Sequence, residues 1–265
     1  MRAGLERMER SSSTLSARQV TVQVGSRALV SELSATFASG ERVAVLGRNG
    51  SGKTLTLHTL AGLRPPARGE VCLDGTGIAR LSRREVALRV GLLAQDVEDA
   101  FVTTALESVL VSRHPHLAPW QWETAEDERI ASEALRALDL ADCAGRRTST
   151  LSGGEQRRLA IAALLAQDPD IFLLDEPTNH LDPRHQLAVL ELFSRLAGTG
   201  RTVIAALHDP TLAARFADRV LLLFGDGRWQ AGAAGEVLTA PSLSELYDSP
   251  MIELHSAGRR VFVTA

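Results

Sequence analysis

Residues Gly47-Arg48-Asn49-Gly50-Ser51-Gly52-Lys53-Thr54 fit the pattern GxxxxGK[ST]. They stand between a short apolar run, Arg42 to Leu46, and a helix expected from about Lys53 to Ala61. No other feature limits the fold as tightly. A strand that stops at a glycine-rich loop and turns at once into a helix leaves backbone N–H groups free to close around phosphate oxygens. The helix N-terminus adds its partial positive charge. In this pattern Lys53 reaches the β- and γ-phosphates and the Thr54 hydroxyl binds Mg²⁺. A chance glycine loop carries no such strand and helix on its two sides.

The rest of the chain alternates in the same way. Strands are expected at Val20 to Val24, Ala35 to Phe37, Glu70 to Leu73, Arg89 to Leu93, Asp170 to Leu174, Thr202 to Leu207 and Arg219 to Phe224. Helices are expected at Ser152 to Gln167, Pro183 to Leu196 and Pro210 to Phe216, with a helical stretch, broken by Pro115 and Pro119, from Ala105 to Leu140. This βαβα order predicts an α/β domain with a largely parallel sheet and a helical subdomain inserted into it. The expected boundaries are a disordered leader at 1–17, one domain at 18–250 and a tail at 251–265.

Two further segments carry chemistry. Ile171 to Leu174 is an apolar strand ending in Asp175 and Glu176. Carboxylates at the C-terminal edge of a parallel sheet sit where ligands bind. Beside a phosphate loop, Asp175 is expected to hold Mg²⁺ and Glu176 to orient the attacking water. Without that loop, two acids ending a strand would simply face solvent. Leu151-Ser152-Gly153-Gly154-Glu155-Gln156 opens the strongest helix. Ser152 and Glu155 form an S-x-x-E capping box. The serine and two glycines also leave a hydroxyl and amides exposed at a positive helix end. A chain with one complete phosphate loop has little need of a second anion site for the same nucleotide. Ser152, Gly153 and Gly154 are therefore expected to serve a nucleotide held by another subunit.

GRNGSGKT, LSGGEQ and FLLDEP, in this order of motifs, resemble the nucleotide-binding subunit of an ABC transporter, over about Val20 to Pro250. The resemblance implies a P-loop NTPase core of class α/β with a mostly parallel sheet, an antiparallel β-subdomain and an α-helical signature subdomain at about 97–165. It implies ATP with Mg²⁺, the metal ligands being Thr54, Gln95 and Asp175. Gln95 matches the Q-loop glutamine that contacts Mg²⁺ and water and couples to a membrane subunit. Asn179-His180-Leu181-Asp182 matches the D-loop, although Asp182 also reads as an N-cap before Pro183. His208 matches the switch histidine at the γ-phosphate, and Glu176, His208 and Gln95 form the implied catalytic set. At the position where the family stacks an aromatic ring on adenine, this chain has Val24, so weaker base packing is expected. The implied working unit is a homodimer of cassettes bound to integral permease subunits at the cytoplasmic face of the membrane, served indirectly by a solute-binding protein. Ser112 to Leu117, Leu165 to Pro169 and the tail through Tyr247 are similar to the ATPases of cobalamin, ferric-siderophore and haem importers, with cobalamin favoured on overall likeness. An exporter ATPase or a soluble ABC ATPase stands as the alternative.

Composition narrows the remaining classes. Lys and Arg number 29 against 32 Asp and Glu, a net charge of −3, which argues against a strongly basic nucleic-acid binder. Two cysteines, Cys72 and Cys143, are too few for a disulfide framework. No run approaches the roughly 18 apolar residues of a membrane helix, and Met1 to Ala17 carries no apolar signal core. His58 is expected to pack. His114-Pro115-His116 reads as a loop of the helical subdomain rather than a metal site. His180, His185 and His255 read as surface or structural. Trp120 and Trp122 are read as packing residues, with a partner contact as the other reading.

Overall fold

The computed structural model describes residues 13–95, 103–118, 120–256 and 258–265. β1 (Leu15–Val24) and β2 (Arg27–Phe37) pair antiparallel, and β3 (Arg42–Leu46) leads through the glycine loop into α1 (Lys53–Leu60). β4 (Arg68–Leu73), the two-residue β5 (Thr76–Gly77), α2 (Arg83–Ala87) and β6 (Val90–Leu93) follow. Three helices come next: α3 (Ala105–Val111), α4 (Ala125–Ala137) and α5 (Gly153–Gln167). The chain then alternates through β7 (Ile171–Asp175), α6 (Pro183–Gly198), β8 (Thr202–Ala206), α7 (Pro210–Phe216) and β9 (Arg219–Leu223). β10 (Trp229–Ala233), α8 (Ala234–Val237), α9 (Ala240–Tyr247) and the hairpin β11 (Met251–Ser256) to β12 (Arg259–Thr264) complete the described elements.

The central sheet has the order β10-β9-β3-β8-β7-β6. Its inner pairs are parallel, and only β10 runs antiparallel to its neighbour. The central strands β9, β3, β8 and β7 each divide their residues between two cores with period two, as a sheet buried on both faces must. Ala44, Leu46, Phe172, Leu174, Val203, Ala205, Val220 and Leu222 face the core shared with α5, α6 and α7. Val43, Val45, Ile171, Leu173, Ile204, Ala206, Leu221 and Leu223 face α1 and the second sheet. That second sheet is antiparallel, in the order β2-β1-β4-β5. It covers the face on which α1 lies, so the glycine loop emerges between the two sheets.

The helical subdomain is held by local chemistry. α3, α4 and α5 each start with a complete capping box, Thr104 with Glu107, Thr124 with Asp127 and Ser152 with Glu155. Arg113, after α3, donates through Nε to Asp127 Oδ1 at 2.9 Å and through Nη1 to the Ala166 carbonyl at 2.8 Å. Both side chains are buried, so one ion pair ties all three helices together.

Two sequence expectations change. β1 begins at Leu15, because Leu15 and Ala17 face the core and pair with Phe37 and Ala35; the leader expected at 1–17 therefore gives up its last three residues to the sheet. Trp120 and Trp122 do not pack: they are 100% and 83% exposed. Residues 251–265 form the β11–β12 hairpin, whose Phe262 is buried and whose backbone bonds to Thr211 of α7. Residues 1–12 of the leader and Asp96 to Val102 at the start of the helical subdomain lie outside the described residues, as does Pro119.

Candidate functional site

The glycine loop is shaped by positions that admit no side chain. A Cβ on Gly47 would stand 2.3 Å from Ser51 Oγ and 2.6 Å from the Leu223 carbonyl. Gly52 caps α1 at φ +102, a left-handed conformation that glycine adopts freely. The loop thereby wraps back on itself, with Ser51 and Lys53 buried and Arg48, Asn49 and Gly50 exposed at its rim. Lys53 Nζ donates to the carbonyls of Gly47 at 2.8 Å and Arg48 at 3.3 Å. Burial lowers the Lys53 pKa, while the charges of Glu176 and Asp175 pull it back upward. The ammonium is thus poised inside the loop with two carboxylates near it.

Those carboxylates end β7. Asp175 is fully buried, and neither carboxylate oxygen has a hydrogen-bond partner at ordinary distance. Burial raises its pKa, Glu176 raises it further, and Thr54, His58 and Lys53 act in the opposite direction. A buried acid with two unmatched oxygens beside a threonine hydroxyl is a donor set suited to a hard divalent cation. Glu176 takes a left-handed backbone, φ +51, uncommon for a residue with a side chain and typical of functional turns. Its carboxylate is held from both sides, by the Asn179 amide and by Nε2 of His208, which follows β8. Lys53, Asp175, Glu176 and His208 therefore meet at the C-terminal edge of the parallel strands, where open α/β sheets bind ligands.

The cleft above them has a volume of about 530 Å³ and is lined by loop residues Gly47 to Ser51 with Arg27, His208, Phe224, Gly225 and Tyr247. Val24 is half exposed at the end of β1 and is not among these lining residues; Arg27, three positions on, is. Ser152, Gly153 and Gly154 are absent from the lining as well. Ser152 and Gly153 stand exposed at the start of α5. Ser152 Oγ accepts from Glu155 N at 3.3 Å, and the Glu155 carboxylate accepts from Ser152 N at 2.7 Å, which holds that acid down at about 2. Asp182 caps α6, accepting from His185 N at 3.0 Å and meeting His185 Nδ1 at 2.7 Å. Gln95 is exposed just after β6. His58 lies partly buried on α1, and His116 Nε2 meets the Gln167 carbonyl at 2.7 Å. Among the described residues no three His, Cys, Asp or Glu side chains form a metal cluster.

One residue that sequence reasoning passed over links these parts. Arg157 of α5 is buried and donates to four main-chain carbonyls: Ala94 at 2.6 Å, Gln95 at 3.3 Å, Glu176 at 2.8 Å, and Asp175. One guanidinium thus joins the signature helix to the Gln95 segment and to the main chain of Asp175 and Glu176. In the sequence GEQRRLA it reads as part of a solvated helix face. The signal available was only its place one turn after a capping box, on a helix otherwise buried by Leu159, Ile161 and Ala162.

Fold and site together define a nucleoside triphosphatase built on a phosphate loop. The family model described as ABC transporter matches residues 30–179, and the chain belongs to that family, among its ATP-hydrolysing subunits. It is 37% identical to the ferric enterobactin transport ATP-binding protein FepC of Escherichia coli K12, over 91% of this chain and 89% of that protein. It is 40% identical to the hemin import ATP-binding protein HmuV of Streptomyces coelicolor, over 87% and 81% of the two chains. A cobalamin import ATP-binding protein, BtuD of Halobacterium salinarum, is 35% identical over 89% of this chain and 59% of its own length. Among solved structures, the inward-facing conformation of a metal-chelate-type ABC transporter gives a TM-score of 0.83 at 28% identity, covering 96% of this chain and 98% of that one. A dimeric bacterial ABC transporter cassette gives 0.73 at 28% identity, covering 83% and 98%.

Proposed function

We propose that this chain powers an importer of metal chelates: a ferric siderophore, haem or cobalamin. The observation that carries this reading is the meeting of Lys53, Asp175, Glu176 and His208 below a phosphate-loop cleft that the signature residues of the same chain do not line. Such a site is half built within one chain. Two cassettes facing head to tail would complete it, with Ser152, Gly153 and Gly154 of one closing over ATP held by Gly47 to Thr54 of the other, and Asp182 at the shared edge. The cargo class is supported by the names of the relatives, whose substrates are ferric enterobactin, hemin and cobalamin.

In this reading the loop amides and Lys53 hold the β- and γ-phosphates, and His208 meets the γ-phosphate. Glu176, already gripped by His208 and Asn179, orients the attacking water. Mg²⁺, when bound by Thr54 and Asp175 with Gln95, supplies the positive charge that neutralises the phosphate oxygens. Val24 gives the adenine an apolar but poor platform. Hydrolysis removes the charged bridge between cassettes and lets them part. Permease subunits feel this through the Gln95 segment and the helical subdomain, on the cytoplasmic face of the membrane, and a solute-binding protein delivers the cargo to them. Among the described residues no helix is long and apolar enough to cross a membrane.

The test has two arms. Glu176→Gln is expected to bind ATP, to hydrolyse it at least about 100-fold more slowly, as loss of a positioned acid–base group does, and to form a stable dimer in ATP. Near-normal turnover would remove Glu176 from its role. Cells lacking the gene should lose uptake of a labelled ferric siderophore, haem or cobalamin, with recovery by the wild-type chain and none by Lys53→Ala. Unchanged uptake of all three would reject the cargo class.

A further inference from the structure

The only tyrosine of the chain closes α9 and reaches the loop that carries His208. Tyr247 Oη donates to the His208 main-chain carbonyl at 3.2 Å, and the ring lines the phosphate-loop cleft. The next residue, Asp248, pairs with Arg48 of the phosphate loop at 3.5 Å. The end of α9 thus touches the phosphate loop and the His208 segment at adjacent positions. The segment is braced from its other side as well: Thr211 Oγ1, three residues after His208, accepts from Phe262 N at 3.0 Å in the C-terminal hairpin. α9 itself is anchored by Leu243 and Leu246, both buried, and by Glu245 pairing with Arg228 at 2.5 Å.

We propose that Tyr247 is a positioning residue for His208, fixing the main chain at the foot of that side chain so that its ring stays directed at Glu176 and the γ-phosphate. The proposal rests on the reading of His208 as the γ-phosphate residue. The phenol suits the task. Burial, with the nearby Asp209 charge, pushes its pKa up to about 12, so it remains a hydrogen-bond donor through the working range. A single neutral hydrogen bond whose loss tilts a catalytic side chain is worth roughly three- to tenfold in turnover. The C-terminal segment then becomes part of the catalytic frame rather than an appendage.

The experiment is steady-state ATP hydrolysis by the full chain carrying Tyr247→Phe, His208→Ala or both, with nucleotide binding measured separately. Tyr247→Phe keeps the ring and removes only the donor. The expected result is a roughly three- to tenfold lower kcat with KM and ATP affinity within about twofold, and a double variant no slower than His208→Ala alone. Amide hydrogen exchange at residues 208–212 should quicken in Tyr247→Phe while the sheet stays protected. If His208→Ala is crippled but Tyr247→Phe turns over normally, the inference fails and the reading of His208 stands. If the two losses multiply in the double variant, Tyr247 acts elsewhere and the inference fails. If His208→Ala itself retains turnover, the reading of His208 fails and the inference with it.

Discussion

Replacing Arg157 by Met keeps an unbranched apolar stem that ends where the guanidinium begins, and removes every donor. Four carbonyls lose this donor. Those of Ala94 and Gln95 lie at the protein edge, since Gln95 is exposed, and can turn to water. That of Glu176 keeps the Asn179 N–H at 3.1 Å. That of Asp175 belongs to a fully buried residue and cannot turn to water. A buried acceptor left unmatched costs about 1–3 kcal/mol, and we place the loss near 2 kcal/mol. At about 2–4 °C per kcal/mol for a chain of this size, Tm should fall by about 4–8 °C. Turnover should fall further than stability alone accounts for, because the carbonyls of Asp175 and Glu176 belong to the residues that, in the proposed reading, bind Mg²⁺ and orient the attacking water. Arg157→Lys should rescue little, since one ammonium cannot span both pairs of carbonyls. Thermal unfolding followed by circular dichroism, and ATP hydrolysis at a temperature where all variants stay folded, give the two numbers. A Met variant with Tm within about 2 °C of wild type, below what one lost kcal/mol would produce, would refute this account of the arginine.

Three other outcomes are expected. Asp127→Ala leaves the Arg113 guanidinium buried without its anion and should destabilise by about 3–5 kcal/mol in urea unfolding. Burial alone would raise the Asp127 pKa, but Thr124 and Arg113 hold it down to about 2, so its contribution is complete above the ordinary 3.8 and is lost as pH falls through about 2; the gap between wild type and variant should narrow over that window. Asp175 is the opposite case: its raised pKa means that ionisation opposes folding once pH exceeds the ordinary carboxylate value. Asp175→Asn should therefore raise the nucleotide-free Tm, by about 2–4 °C for each kcal/mol relieved, while abolishing Mg²⁺-dependent hydrolysis; a lower Tm would contradict this. Val24→Tyr should lower the KM for ATP about fivefold, the equivalent of about 1 kcal/mol of stacking, whereas the wild type should hydrolyse GTP at a rate comparable to ATP.

Much of this was legible because the informative residues carry their own geometry. GRNGSGKT names a strand end, a turn that only glycine permits and a helix start within eight positions. FLLDE names a buried strand and its carboxylate edge. LSGGEQ names a capped helix, and the cap is present. What stayed hidden depends on distance along the chain. Arg157 meets carbonyls 18 to 63 positions away, and nothing local marks a buried arginine on a capped helix. Tyr247 finds His208 from 39 residues off. The packing reading of Trp120 and Trp122 rests on large aromatic rings usually burying area; here the chain leaves them outside. The three residues from Leu15 to Ala17 read as leader because the arginines and serines around them mask a short alternation. The β11–β12 hairpin escaped notice for a similar reason, its apolar positions being diluted by His255, Arg259 and Arg260.

The division of one sheet between two cores also bears on how such a chain can vary through descent. Phe172 meets Phe193 of α6, edge-on at 5.5 Å, while Leu173 beside it belongs to the opposite side with α1. Neighbouring letters of the same strand are thus read by different audiences. Substitutions on the α6 side can accumulate and compensate among themselves, and residues without shared partners contribute nearly independently. The phosphate loop continues into α1 on the other side, whereas Ser152 to Gly154, Asp182 and His208 hang from α5, α6 and the turn into α7 and follow this core. A lineage can remodel the surface it offers to a new membrane partner one face at a time, without renegotiating the phosphate loop.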